Sequence, residues 1–447
     1  MSDAGSSQEL PSSVPITGEI AESATLAPDQ VPTPASGPIE KPNRANEILR
    51  EIFSGSALLT LLAIVIAFVF GAILIAATNP EVQSTAGYFF GRPGDMLSAV
   101  WNSVSGAYVA LFRGGVYNYQ ADDFGTGIGS ILNSLNFATP LIAAGLGIAV
   151  SFRSGVFNIG GQGQMLAGAA CAGYVGFAWT MPFPLHMIVA ILAGLLGGAI
   201  WGGIVGVLKA RTGAHEVIVT IMLNYVAFYL LDYLLHTPFL RAAGSQNPQS
   251  PEEKPSSIFF PLLGSNYAVN FGFILVIIAT VFCWWLLSRS SLGFKLRAVG
   301  ENPRAARVAG IRIKRIYVYV MAISGLLVGL AGVYQVLGYT TSGFGNSIDA
   351  GIGFSAITVA LLGRSRPLGV FAAGILFGVL QAGSYTMQAD QGVNVNIVPV
   401  IQSVIVLFLA APPLVRAIFH LPSPTPRVRA RTPRVRTTKL DSQAVAK

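Results

Sequence analysis

LHMIVAILAGLLGGAIWGGIVGVL, residues 185–208, holds no Asp, Glu, Lys or Arg. As an α-helix it would extend about 36 Å at 1.5 Å per residue, more than the ~30 Å hydrocarbon core of a bilayer. Gly194, Gly198, Gly202 and Gly206 recur every fourth residue and fall on one face of that helix. Lipid gives no hydrophobic drive for helices to associate, so a small-residue face of this kind serves close helix packing. The stretch predicts a membrane helix with a neighbour held against its backbone. Gly325 with Gly329, and Gly374 with Gly378, repeat the spacing.

Working outward, the 447-residue chain is 52% hydrophobic and 11% charged, far below the quarter of charged residues usual in soluble domains. Ten apolar segments are visible, near 56–78, 131–151, 156–177, 185–208, 217–236, 268–288, 317–341, 349–363, 368–388 and 397–417. The fold expected is all-α, a polytopic membrane protein of about ten transmembrane helices, some broken or re-entrant. The segment 349–363 has a length that suits a half-helix as well as a span. Alternating ten-residue β-barrel segments are not seen.

Three regions follow from composition. Residues 1–49 are rich in Ser, Pro, Ala and Glu and are expected as a disordered cytoplasmic tail. Residues 50–418 form the membrane domain, and 419–447 a basic tail with a repeated PRVR from Pro426. Lys41, Arg44, Arg50, Arg153, Lys209, Arg211, Arg364 and Arg366 fall at alternate turns, and the positive-inside rule puts those turns and both termini in the cytoplasm. The basic tail fits the same rule, so the net charge of +8 is no evidence for nucleic acid as a partner; membrane lipid is the surface it faces. Residues 79–130 and 237–267 are the extracytoplasmic loops, and the piece Met96–Phe112 has the composition of a helix lying along the interface.

Catalytic and metal chemistry find little support. Cys171 and Cys283 lie in apolar segments, and the four histidines show no ligand spacing. No Gly-Lys dipeptide occurs, which excludes a Walker-type phosphate loop. Asp232 lies about 15 residues, or ~22 Å, from the inner end of its helix, near the outer headgroups rather than at the bilayer centre. The chain therefore offers no ATP site and no central proton carrier.

Two stretches carry other chemistry. In GVFNIGGQGQMLAGAA (155–170), Asn158 and Gln162 are four apart and share a helix face, whereas Gln164 points away from it. Buried amides in a bilayer need partners, so this pair serves either as interhelical glue or as the lining of a solute path. In GENPRAARVAGI (300–311), Asn302 suits a helix cap, Pro303 the first turn and Gly310 the end. The expected helix Pro303–Ala309, with Ala305, Ala306 and Ala309, either docks into another protein or is a plain surface turn. The loop 289–316 around it holds eight Lys or Arg residues against one acid, Glu301.

Taken in order, FRSGVFNIGGQGQMLAGA (152–169), RTGAHEVIVTIMLNYVA (211–227), GENPRAARVAGI (300–311) and LLGRSRPLGV (361–370) resemble the permease subunits of bacterial ABC importers. That family includes ribose, other simple-sugar, nucleoside and branched-chain amino acid permeases, and the resemblance covers residues 130–416. It is strongest to the larger of the paired permeases of nucleoside uptake systems. The resemblance implies import of a small polar solute, best a nucleoside, with a ribose-like sugar or branched-chain amino acid as alternatives. It implies an ATPase subunit carrying ATP and Mg, a second permease (a paralogue or another copy) and an extracytoplasmic solute-binding protein, with no cofactor in this chain. It makes Glu301, Asn302, Pro303, Arg304, Ala305, Ala306, Arg307, Ala309 and Gly310 the coupling segment. Candidate path residues are Asn158, Gln162, Gln164, Asn224 and Tyr225. A stand-alone carrier or channel is the reading from another class.

Overall fold

A computed structural model describes residues 56–264 and 267–420. The two tails expected from composition lie outside the described residues. The order of elements is α1 (Ser56–Thr78), α2 (Pro80–Ala86), α3 (Pro93–Gly115), α4 (Phe124–Arg153), α5 (Gly161–Ala178), α6 (Leu185–Thr212), α7 (Glu216–Leu235) and α8 (Phe271–Arg289). Then come α9 (Ser291–Glu301), α10 (Pro303–Val308), α11 (Ile313–Tyr334) with a π-turn at Gln335–Tyr339, α12 (Ile352–Leu362), α13 (Pro367–Gln391), α14 (Ile397–Ala410) and α15 (Pro412–Ile418). No strand occurs among the described residues, only an isolated bridge between Pro261 and Asn270.

Seven of these helices are long and apolar enough to cross a membrane, and the pair α14–α15, bent by 94°, makes an eighth if it is one span. The expected ten is reached only by counting two broken segments. The third apolar segment becomes helical only at Gly161, and its first turn carries Gln162 and Gln164. The segment 349–363 forms an 11-residue helix, about 17 Å long and so roughly half a bilayer.

The two halves of the core meet on glycines. Gly198 and Gly202 of α6 lie against the backbone of Gly325 and Gly329 on α11, Gly194 against Gly168 of α5, and Gly206 against Tyr317 and Val318. A Cβ at any of these positions would strike a neighbour. Gly374 and Gly378 of α13 likewise receive Ile142, Ser134 and Ala138 of α4. The α4 and α11 helices are buried at the centre, joined by Gly147 packing on Ser324 and by a hydrogen bond from the Tyr334 hydroxyl to the Asn136 amide oxygen.

The basic turns share one end of the bundle: Arg153 Nε donates to the Ser365 carbonyl at 3.1 Å, and Gly155 abuts Gly300. The 237–267 segment closes the other end, with Ser250 and Glu253 bonded through their backbones to Phe344 and Thr341. The stretch 96–112 does not lie apart from the bundle. Helix α3 runs antiparallel to α13, with Gly106 beside Gln391, Gly114 beside Thr386 and Gly115 on the Val379 carbonyl, and an Arg113–Asp390 ion pair ties the two. Its Ala, Gly and Ser face allows that approach.

Candidate solute site and coupling segment

The opening of α5 differs from the helical expectation. Residues 155–159 are not helical, so Asn158 lies ahead of the helix and the four-residue spacing to Gln162 sets no common face. Asn158 instead pairs with Gln164: its Nδ2 donates to Gln164 Oε1 at 3.0 Å, and Gln164 Nε2 donates back to Asn158 Oδ1 at 3.2 Å. Asn158 Nδ2 also donates to Ser324 Oγ at 2.8 Å, and Ser324 donates to the Gly147 carbonyl. Asn224 holds the same break from the other side, accepting from Gly163 N and donating to the Ile159 carbonyl, both at 2.9 Å. All four side chains are buried and used. They satisfy the backbone and amide groups that a broken helix exposes in an apolar interior.

Gln162 and Tyr225 border open space. With Asn224, Ile221, Phe228, Tyr229 and Phe354 they line a cleft of about 250 Å³. On the far side of Gln162 the N-terminus of α5 meets that of α12, because Gly161 packs on the Gly353 carbonyl and Gly353 on the Gln162 backbone. The buried Asp349 sits at this junction, accepting from Gly351 N at 3.3 Å and reached by the Gln162 side chain.

The larger polar cavity was not foreseen. It measures about 400 Å³ and is walled by α4, the π-turn, α12, α13 and α14. Eight uncharged hydrogen-bonding residues line it: Asn136, Gln335, Tyr339, Ser355, Gln381, Tyr385, Asn396 and Gln402. Phe137 stacks on Tyr385 with centroids 5.6 Å apart and leans on Tyr339 at 5.8 Å. Among the described residues no Asp, Glu, Lys, Arg or His lines it. Two backbone irregularities shape the wall. Pro140 inside α4 leaves the Asn136 carbonyl without its helical donor, and the π-turn puts both Gln335 and Tyr339 on the cavity side. A proline and isolated amides inside apolar runs are the signals that sequence reasoning passed over.

At the opposite end, Asn302 Oδ1 accepts from the amides of Arg304 and Ala305 at 3.0 and 3.1 Å, Pro303 takes the first turn and Gly310 ends the segment at φ +81°. Helix α10 presents Arg304, Ala305, Arg307 and Ala309 outward, with Val308 91% exposed. Ala306, expected on the docking side, turns inward and joins the core. A groove of about 450 Å³ runs beside the helix between Phe294, Glu301 and Ile311.

The branched-chain amino acid transport system / permease component family model matches residues 130–410. The chain is 33% identical over 357 residues to the guanosine ABC transporter permease protein NupP of Bacillus subtilis, covering 79% of this chain and 93% of the relative. It is 34% identical over 327 residues to the nucleoside ABC transporter permease protein NupB of Lactococcus lactis subsp. cremoris, covering 70% and 89%. A glucose ABC transporter permease protein of Haloferax volcanii is 33% identical over 281 residues, covering 61% and 73%. No solved structure matches the chain. The chain thus belongs to the branched-chain amino acid transport system / permease component family, as a multi-pass membrane permease of an ABC transporter.

Proposed function

We propose that the chain imports a nucleoside and that the 400 Å³ cavity is where the solute rests during passage. The observation that carries this is eight uncharged hydrogen-bonding residues around a stacked aromatic pair, with no ionic group. Amides and hydroxyls match the sugar hydroxyls and the base edge, and the rings match the flat base. A free amino acid would bring two charges with no ionic partner in the lining, which costs far more than burying a neutral solute. A hexose satisfies the amides and finds less use for the rings; the similarity to a glucose permease makes it the second reading.

In this reading both termini are cytoplasmic, and solute arrives from an extracytoplasmic binding protein. A second permease, a paralogue or another copy of this chain, completes the path. Two ATPase subunits supply ATP and Mg, one of them docking on this chain's coupling segment, Glu301 to Gly310, and the other on the second permease. Closure of the ATPase dimer moves α10, and the helices reorient around Gln162, Tyr225 and the cavity. Uptake of labelled nucleosides, ribose and leucine, with and without the binding protein, tests the substrate. In a deletion strain lacking parallel importers, unimpaired nucleoside uptake overturns it. Capture of the ATPase by the tagged chain tests the docking: Arg304→Glu with Arg307→Glu is expected to lower capture at least tenfold, and intact capture removes those arginines from the interface.

A further inference from the structure

The cations of the basic end are not spread evenly. Arg153 at the end of α4, Arg297 on α9, and Arg364 and Arg366 in the turn before α13 converge on one cavity of about 720 Å³. Among the described residues no carboxylate lines it. None of Arg153, Arg297 and Arg366 forms an ion pair among the described residues, and the Nε of Arg297 is buried with no hydrogen-bond partner. The convergence is held by structure: Arg153 Nε bonds the Ser365 carbonyl, and Arg364 donates to Thr60 Oγ1 at 3.4 Å. Arg364 and Ser365 both take left-handed backbone angles, φ +53° and +51°, which side-chain-bearing residues adopt only under constraint.

The positive-inside rule asks for cations near the membrane, not for guanidinium groups gathered on one cavity against their mutual repulsion. An anion would relieve that repulsion, and the planar guanidinium fork matches phosphate oxygens. The remaining wall is apolar, formed by Trp284, Leu287, Leu362 and Leu368. Trp284 and Leu368 are exposed at the surface of the bundle, where lipid chains lie. We propose that this cavity binds a phosphate-bearing anion, and that its walls favour the headgroup of an anionic phospholipid with a chain laid along Trp284 and Leu368. Arg297 also borders the groove beside α10, so an occupied site steadies the support of the coupling segment. Only the choice of leaflet rests on the orientation proposed above; the site itself does not.

Native mass spectrometry of the full-length chain with phosphatidylglycerol, phosphatidylcholine and inorganic phosphate tests this. Retention of phosphatidylglycerol is expected to exceed that of phosphatidylcholine by about fivefold or more. Arg297→Gln with Arg366→Gln is expected to abolish the preference. Lys295→Gln, which removes one charge outside the cavity, as Arg366→Gln removes one inside it, is expected to keep it. Displacement of the lipid by millimolar inorganic phosphate assigns the site to a free anion with the same chemistry. Equal retention of the two lipids with no phosphate bound overturns the proposal, as does a loss in Lys295→Gln matching that of the double variant. Should the double variant not purify as a monodisperse protein, Arg366→Gln alone, at an exposed position, is expected to halve the preference, and no change there is equally fatal.

Discussion

The break before α5 and the cavity between α4 and α13 are built from the same residue types and do opposite things. At the break, Asn158 and Gln164 meet each other, Asn158 also meets Ser324, and Asn224 meets the backbone, so each of the three amides is engaged at both its oxygen and its nitrogen. In the cavity the amides are only partly engaged. Gln335 donates to the Ile348 carbonyl and Gln402 to that of Phe377, while the side chains of Tyr339, Gln381 and Tyr385 have no hydrogen-bond partner among the described residues. An amide in a membrane protein is thus informative by its remaining valence, not by its presence. The closed set fixes the fold, and the open set can exchange water for solute.

The largest effect is expected where that closed set is broken. Asn158→Leu orphans the Gln164 amide and the Gly160 N–H and takes a donor from Ser324, a cost of about 3 kcal/mol, and should appear as loss of monodisperse protein in size-exclusion chromatography. A folded Asn158→Leu protein with impaired transport would place this residue on the path and dissolve the contrast. Next come the open residues. Tyr385→Ala and Gln381→Leu should each lower nucleoside uptake about tenfold, the scale of one lost stacking or hydrogen-bond contact, at unchanged yield of folded protein. Gln162→Leu lies between the two classes and should slow transport about threefold, with ATPase capture intact; loss of assembly instead would move Gln162 to the closed set.

The smallest effect concerns a third kind of polar group. Glu253, in the segment that closes the end of the bundle opposite the basic turns, is 2% exposed and its carboxyl oxygens have no hydrogen-bond partner among the described residues. Burial raises its pKa from the ordinary 4.5 to about 9, so it is held protonated. The folded protein then binds a proton that the unfolded chain releases, and this group's stabilisation declines as pH rises from about 4.5 through about 9. Glu253→Gln should flatten the fall in melting temperature between pH 6 and pH 9. An unchanged slope would show that the carboxyl is solvated.

Much of this was legible in the sequence, for reasons that differ by residue. The glycine face of α6 could be read because a four-residue recurrence fixes a face whatever the partner. The ends of α10 could be read because Asn302, Pro303 and Gly310 each act on their own backbone. The break at 156–160 was legible in its glycine pair, Gly160–Gly161, but the set of bonds that closes it was not, since these come from Asn224 and Ser324, far along the chain. Nor was the cavity, whose amides stand singly in apolar runs between Asn136 and Gln402 and converge only once α4, α11, α13 and α14 pack.

The abutting ends of α5 and α12 have a mechanical consequence. A continuous helix resists parting at every residue, because each step would break a backbone hydrogen bond. Gly161 and Gly353 pack backbone against backbone, with no backbone hydrogen bond between the two helices among the described residues, and each atom pair in such a contact is worth only about 0.1–0.2 kcal/mol. The junction can therefore part without breaking a backbone hydrogen bond of either helix, at the expense of the Gln162–Asp349 contact, and under the proposed mechanism a displacement of α10 need not tear secondary structure.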